Sequence, residues 1–506
     1  MDAAPHLEPD DESNRRLLAA VHPRGWVNPS PSGRYNLVVL GGGTAGLVCA
    51  AGAAGLGAKV ALVEKHLLGG DCLNVGCVPS KALLGAASAL HAARNLGDFG
   101  SAWQESAEAS FAHAMARMRR LRADLAPIDS AARFRDLGVD VFLGQGRFTG
   151  EDTLDVGGQT LRFSRAVIAT GARAALPPIP GLATSGYLTN ESVFSLTTRP
   201  RRLAVIGGGP IGCELAQAFR RFGAEVTVLA AGAQLLPKED ADAAAVVRTA
   251  FEREGIHLAL GSTITRVEVT GENKCLTYSP APGAPEVRLE VDALLVAAGR
   301  APNVEGLGLE AAGVAFEPRK GVRVDERLRT SNRRLFAAGD VAGQYQFTHA
   351  ADAMARIVLR NALFFGRARS TRLIVPWATY TDPEVAHVGM GQKQADATPG
   401  VSTLTVHMKD VDRALLEGDT EGFARVHIDR KGRILGGTLV ARHAGEMIAE
   451  LSLAMTAGIT MGQIAETIRP YPTQAEVFKK LADAYSRTRL TPGIKRAFSW
   501  LLARRR

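Results

Sequence analysis

The chain has 506 residues, enough for about three domains with cores of their own. Charged residues at 22% and hydrophobic residues at 46% describe an ordinary folded protein, not a disordered or fibrous one. The net charge of +9 is spread along the chain with no nucleic-acid motif beside it, which excludes nucleic acid as the expected partner, and five cysteines, scattered except for one pair, suit a reducing cytoplasm.

Met1 to Ser13 is acidic and has no apolar run, so no secretory signal is expected. No run of about eighteen uninterrupted apolar residues points to a membrane span. Residues 1–33 read as an extension: a short helix near Asn14 to Val21, then Pro23, Trp26, Pro29 and Pro31 as a breaker-rich linker. Tyr35 to Leu40 reads as a buried strand, followed by Gly41-Gly42-Gly43-Thr44-Ala45-Gly46, an alanine-rich helix and the strand Lys59 to Glu64. Set between strand and helix, with an acid about twenty residues on, this pattern marks a dinucleotide site. Gly41, Gly43 and Gly46 admit a pyrophosphate to the helix N-terminus, and Glu64 can accept hydrogen bonds from a ribose. A tight structural turn is the alternative reading.

Next comes Gly69-Gly70-Asp71-Cys72-Leu73-Asn74-Val75-Gly76-Cys77-Val78-Pro79-Ser80-Lys81. Thiols at this spacing can close into a small ring or open to a dithiol, and so hold two electrons. Glycines such as Gly70 let the backbone approach a planar cofactor. Helix from Ala82 onward puts both sulfurs near a helix N-terminus, where the dipole lowers a thiol pKa. A structural bridge or a metal pair are the alternatives, but zinc needs four ligands and no second Cys/His cluster supplies the rest, so no metal site is expected. Cys49, Cys213 and Cys275 read as inert packing residues.

The segment Gly70 to Lys81 resembles the active-site signature of the class I FAD-dependent pyridine nucleotide-disulfide oxidoreductases, which include dihydrolipoamide dehydrogenase, glutathione reductase and mercuric reductase. The resemblance runs from about Tyr35 to about Arg487. It implies FAD, NAD(P)H and a homodimer. It also implies that Cys77 faces the flavin, that Cys72 meets the substrate, and that Lys81 lies near the flavin, held by Glu214. Gly146, Thr170 and Gly171 join the implied cofactor contacts. Taken singly, Lys81 or Glu214 is more often a surface charge.

Further along, Met115, Met118, Leu121 and Leu125 fall at helical spacing between Phe111 and Arg135, a core stripe with arginines on the remaining faces. Val139 to Phe148 and Ala166 to Gly171 read as strands before the boundary Pro177 to Pro180. The strand–glycine–helix device then recurs: Arg202 to Ile206, the turn with Gly207, Gly209 and Gly212, a helix, and the strand Glu225 to Leu229. Two such folds imply two dinucleotides. At the place of Glu64 the second copy has Ala230, so a 2′-phosphate is not repelled, although no arginine stands beside it; this leans slightly towards NADPH. Leu294 to Gly299 and Arg300 closes the second fold and adds both of those residues to the cofactor contacts. Leu335 to Asp340 resembles the family's returning FAD segment, where Asp340 takes hydrogen bonds from the ribityl chain; a turn aspartate at a strand end is the bland reading. Beyond Arg372, Phe423 to Ile428 and Ile434 to Val440 read as a hairpin around Asp429 to Gly432, with helices at Gly445 to Ala457 and Gln474 to Tyr485, resembling the family's interface domain.

The expected fold class is α/β: two Rossmann-like domains and a C-terminal α+β dimerisation domain. Its divisions are an extension over 1–33, a discontinuous FAD domain over 34–183 and 306–371, an inserted NAD(P)H domain over 184–305, an interface domain over 372–490 and a basic tail over 491–506. Where two named members of the family carry His-Pro-Thr-x-x-Glu, this chain has Tyr471-Pro472-Thr473-Gln474-Ala475-Glu476. A phenol is a poor proton carrier at neutral pH, which disfavours a dithiol-type substrate, and a packing role for Tyr471 is an equal alternative. Mercuric reductases place tyrosine here, and a soft ion needs thiolates more than a proton donor. They also use a C-terminal cysteine pair, whereas no cysteine follows Cys275. The expected function is therefore transfer of electrons from NAD(P)H through FAD and the Cys72–Cys77 couple to a sulfur compound or soft metal ion. The alternatives are a quinone or oxygen diaphorase that does without the thiols, and a redox-responsive flavoprotein that docks a partner or membrane. For the last, Ile494, Phe498 and Leu501 share one helical face beside Lys495, Arg496 and the terminal arginines, a pattern compatible with an acidic membrane; a solvated or subunit-docking helix is the alternative.

Overall fold

The computed structural model describes residues 5–94, 107–271 and 273–506, so the first four residues of the expected extension lie outside the described ones. The chain divides into two compact units: the chain up to Ala231 with Gly261–Leu373, and Gly232–Leu260 with Ile374–Arg506.

The first unit is built on β1 (Arg34–Leu40), α2 (Thr44–Gly55), β2 (Val60–Glu64), β3 (Val139–Leu143) and the strands β4 (Gly146–Gly150), β5 (Thr153–Val156) and β6 (Gln159–Ile168), which are preceded by α1 (Glu12–Val21). The order is β3-β2-β1-β6-β5-β4, parallel from β3 through β6 and antiparallel from β6 through β4. Unbroken apolar runs such as Leu37 to Leu40 and Val60 to Val63 are what a parallel sheet covered on both faces demands. Strand Leu335–Ala337 returns to pair in parallel with β6, so the first Rossmann fold is discontinuous, as expected. Strands Arg202–Ile206, Glu225–Ala230 and Ala293–Val296 form a second parallel set, with α7 (Pro210–Arg221) after its glycine turn.

Between β2 and β3 lie α3 (Gly70–Asn74), α4 (Cys77–Arg94), α5 (Ala107–Leu125) and α6 (Ala131–Asp136). Met115 and Met118 are core, but Leu125 is exposed, and Arg119 and Arg122 are buried where surface arginines were expected. The reason is α1, which packs on α5 and brings acids and amides to them. Asp11 caps α1 by accepting from the Asn14 amide at 2.8 Å and pairs with Arg119. The breaker-rich stretch after α1 is also seated: Trp26 donates to the Val141 carbonyl at 3.0 Å, and Asn28 bonds both backbone groups of Leu143. Stretch Gly70–Arg94 has the length and apolar composition of a membrane crossing. Here it carries the cysteine pair and packs against α5 and α7.

The second unit holds a five-stranded antiparallel sheet in the order Trp377–Thr379, Glu384–Gly389, Ile434–Ala441, Phe423–Ile428, Ser402–His407. Helices Ala444–Ala457 and Glu476–Arg489 cover it, so the expected hairpin and both helices are present. Beneath, Trp377 donates to Glu239 at 2.6 Å and its ring lies 4.5 Å from that of His387. Among the described residues, Glu239 Oε2 and the buried His427 Nε2 find no hydrogen-bond partner.

Candidate active site

Both glycine turns use one backbone contact. Gly41 has φ +109°, and a Cβ on Gly46 would stand 1.8 Å from the Gly41 carbonyl; Gly207 has φ +121°, and a Cβ on Gly212 would stand 2.0 Å from the Gly207 carbonyl. Only glycine permits helix and strand to approach so closely. Gly43 and Gly209 cap α2 and α7 without a side-chain bond, leaving first-turn N–H groups for an anion. Gly70 is held against the first turn, since a Cβ there would meet Gly43 Cα at 2.6 Å. Glu64 accepts from the Gly42 amide at 2.6 Å and the His66 amide at 2.7 Å, and burial pushes its carboxyl above the ordinary range despite those bonds.

The cysteines are both free thiols, Cys72 within α3 and Cys77 as the first residue of α4. Cys77 stands at the helix N-terminus expected from the sequence, whereas Cys72 lies inside the short α3. Its neighbour Cys77, together with burial, pushes the Cys72 thiol far up, while Cys72, the Thr348 hydroxyl and the Lys81 charge pull Cys77 down. The two thiols are therefore unequal, and Cys77 is the one that ionises more readily. Thr348, with its hydroxyl 3.5 Å from Cys77 Sγ, opens the helix Thr348–Leu363 that packs on α2. Close packing at Gly52, where a Cβ would lie 2.5 Å from Leu359, sets the position of that helix.

Lys81, one turn past Cys77 on α4, donates to Glu214 on α7 at 2.7 Å; the lysine is half-buried and the glutamate buried. On the other side, Arg300 bridges Asp71 and Asp340, reaching Asp340 at 3.2 Å and the Ala172 carbonyl at 2.8 Å. Burial raises the Asp340 carboxyl, and Arg300 opposes that rise. Thr170 donates to the Asn303 carbonyl at 2.7 Å beside Gly171, whose φ is +67°, and Gly299, which precedes Arg300, has φ +119°. Gly146 is a packing position: a Cβ would meet Leu40 at 2.5 Å. Tyr471 and Glu476 belong to the second unit. Tyr471 is exposed and donates to Asp412 at 3.1 Å, which raises its phenol further above neutrality; Glu476 faces Lys480 at 3.6 Å.

Sequence reasoning missed Thr348, Asp71 as partner of Arg300, and a brace behind the cysteines. Arg122, buried, donates to the Asn74 carbonyl at 2.7 Å and to Asn14 Oδ1 at 2.6 Å, and Asn74 donates to the Leu68 and Gly70 carbonyls at 3.0 and 2.9 Å. The extension thus reaches the cysteine loop through one guanidinium. Only the Asp at the start of α1 hinted at it. No group of three or more metal-ligating side chains occurs among the described residues.

A polarised dithiol set beside an ammonium–carboxylate pair, in a unit with two pyrophosphate-sized turns, defines an oxidoreductase that works with two dinucleotides and a cysteine couple. Residues 35–355 match the pyridine nucleotide-disulphide oxidoreductase family and residues 375–482 its dimerisation domain, and the chain belongs to this family, in class I. It is 35% identical over 447 residues to the mercuric reductase of Bacillus cereus, covering 88% of this chain and 70% of that protein. With the dihydrolipoyl dehydrogenase of Thermus scotoductus it shares 34% identity over 471 residues, 89% of this chain and 97% of the relative. Its fold is similar to that of the HOCl-induced flavoprotein disulfide reductase RclA from Escherichia coli, solved as a Cu(II) complex, with TM-score 0.80, 30% identity, and coverage of 90% of this chain and 100% of the other. The chain is an enzyme of a family that uses FAD and NAD(P)H. The residues fit both groups: each glycine turn presents a cradle that any Cβ would fill.

Proposed function

We propose that the chain takes electrons from NAD(P)H through FAD to a Cys72–Cys77 disulfide and delivers them to a soft metal ion or a sulfur-containing acceptor. The observation that carries this reading is the unequal pair, Cys72 pushed up and Cys77 pulled down, with the Thr348 hydroxyl 3.5 Å from Cys77 Sγ and Lys81 one turn along the same helix. FAD, when bound, supplies two-electron chemistry between the reduced nicotinamide and the disulfide.

In this reading Gly41, Gly43, Gly46 and Gly70 hold the FAD pyrophosphate, with Glu64 and Asp340 towards its ribose and ribityl hydroxyls and Thr170 and Gly171 along its edge, while Gly146 packs against Leu40 behind them. Gly207, Gly209 and Gly212 serve the nicotinamide dinucleotide, with a slight preference for NADPH at Ala230, while Arg300, preceded by Gly299, holds Asp340 on the flavin side. The division of the chain into 34–183 with 306–371, 184–305 and 372–490 belongs to the same proposal, as does a cytoplasmic homodimer paired through the last of these. Reduction of the disulfide by two electrons and one proton leaves Cys77 as thiolate and Cys72 as thiol. Glu214 holds the Lys81 ammonium beside that thiolate. A soft divalent ion then displaces the Cys72 proton, binds sulfur and takes the two electrons as the S–S bond re-forms.

Names of relatives support the metal-ion arm, since mercuric reductases stand among them and RclA was solved with Cu(II). Tyr471 supports it too, because a phenol bonded to Asp412 is a weak proton carrier for a dithiol substrate. The test is an acceptor screen, Hg(II) against lipoamide, glutathione disulfide and quinones with NADH and NADPH, on wild type and Cys77→Ser. Hg(II)-dependent oxidation of NADPH and a long-wavelength thiolate-to-flavin band, both lost in Cys77→Ser, are expected. Quinone turnover that survives Cys72→Ser, with no reduction of any thiophilic acceptor, overturns the proposal.

A further inference from the structure

We propose that the C-terminal helix Pro492–Ala503 is a peripheral anchor for an anionic lipid surface. The helix is specified locally. Thr491 caps it by accepting from the Ile494 amide at 3.3 Å, and proline occupies its first turn. None of its residues is buried. A helix with no tertiary cover is expected to be polar all round, yet this one displays Ile494, Phe498, Leu501 and Leu502 along one arc, with Trp500 58% exposed. At 12 residues it is about 18 Å long, too short to cross a bilayer and suited to lying in the interface.

Charge selects the occupant. From Thr491 to Arg506 there is no Asp or Glu, and Lys495, Arg496, Arg504, Arg505 and Arg506 are all basic. Lys495 borders the apolar arc, Arg496 stands on the far face, and Arg504 holds its guanidinium 3.7 Å from the centre of the Trp500 ring. A second copy docking on this face brings two such clusters together and is repelled. A bilayer rich in acidic headgroups receives the apolar arc and neutralises the cluster at once. The net charge of +9 adds attraction in the same sense.

The experiment uses the FAD-loaded full chain and two sets of vesicles, phosphatidylcholine alone and phosphatidylcholine with about a third phosphatidylglycerol. Sedimentation with the anionic vesicles only and release by high salt are expected. Phe498→Ser with Leu501→Ser lowers affinity about tenfold or more, and each of Lys495→Gln and Arg496→Gln about fivefold, with NAD(P)H oxidation in solution unchanged. Binding equal on both vesicles, binding to neither, or binding indifferent to Phe498→Ser with Leu501→Ser overturns the proposal. So does loss of the dimer in the tail variants without any vesicle binding, which identifies a second copy as the occupant.

Discussion

Lys81 and Glu214 meet at 2.7 Å, tying the helix that begins at Cys77 to the helix that begins at the second glycine turn. The carboxylate is buried and the ammonium partly wet, so the pair ranks between a surface ion pair and a fully enclosed one. A double-mutant cycle with Lys81→Gln and Glu214→Gln is expected to give a coupling of about 1 to 2 kcal/mol. Glu214→Gln alone is expected to slow reduction of the cysteine pair about tenfold in stopped-flow traces. A coupling near zero removes the pair from the site.

Thr348 steadies the Cys77 thiolate with a single hydroxyl. Removing that donor in Thr348→Val favours the protonated thiol, so the pH at which the thiolate absorbance appears is expected to rise by about one unit. Thr348→Ser keeps the hydroxyl and should titrate like wild type. Equal midpoints in all three proteins refute the role.

Arg122 is buried and depends on Asn14 and the Asn74 carbonyl for its bonds, and burial pushes its guanidinium down to about 10. Asn14→Ala leaves part of a charged group unsatisfied and is expected to cost about 2 kcal/mol in chemical denaturation. Because Asn74 also holds the Leu68 and Gly70 carbonyls, the variant is expected to change the rate at which Cys72 reacts with a soluble thiol reagent.

Glu239 and His427 give the second unit opposed pH dependences. Burial pushes the Glu239 carboxyl up to about 7, so as pH rises from about 4.5 to 7 the unfolded chain releases a proton that the folded unit keeps, and stability is lost. Burial pushes the His427 ring down to about 4, so from there to about 6.5 the unfolded chain holds the extra proton and stability rises with pH. Glu239→Gln keeps an acceptor for Trp377 and removes the first effect. Relative to wild type it is expected to gain about 2 kcal/mol between pH 5 and 8 in urea denaturation; a constant difference across that range counts against it.

Tyr471 donates to Asp412 and stays protonated through the neutral range. Tyr471→His installs an imidazole that titrates near 6.5. Turnover with lipoamide or glutathione disulfide is expected to rise at least tenfold in the variant, read as NADPH oxidation, while turnover with thiophilic metal ions changes little. Absence of any gain points instead to a packing role.

Strands buried on both faces and glycine turns followed by helix are written in continuous residues, so both Rossmann folds, the return of Leu335–Ala337 and the central hairpin of the C-terminal sheet were legible in the sequence, while its other three strands were not. The cysteine pair was legible for the same reason. What escaped depends on partners distant in the chain. Thr348 stands 271 residues beyond Cys77, and Arg122 stands 108 beyond Asn14, with no periodicity linking either pair. Arg119 and Arg122 read as surface charges because long cations are mostly exposed unless something meets them, and the helix that meets them lies in the extension. A dipole argument applied to both sulfurs alike missed that the two neighbouring thiols shift in opposite directions.

The bond from the Gly42 amide to Glu64 has no counterpart at the second turn, where the equivalent strand end is Ala230 and offers no oxygen from its side chain. One seat is therefore stiffened by its own side chain while the other is left pliant. That asymmetry suits a resident guest in the first and a visitor that must come and go every catalytic cycle in the second.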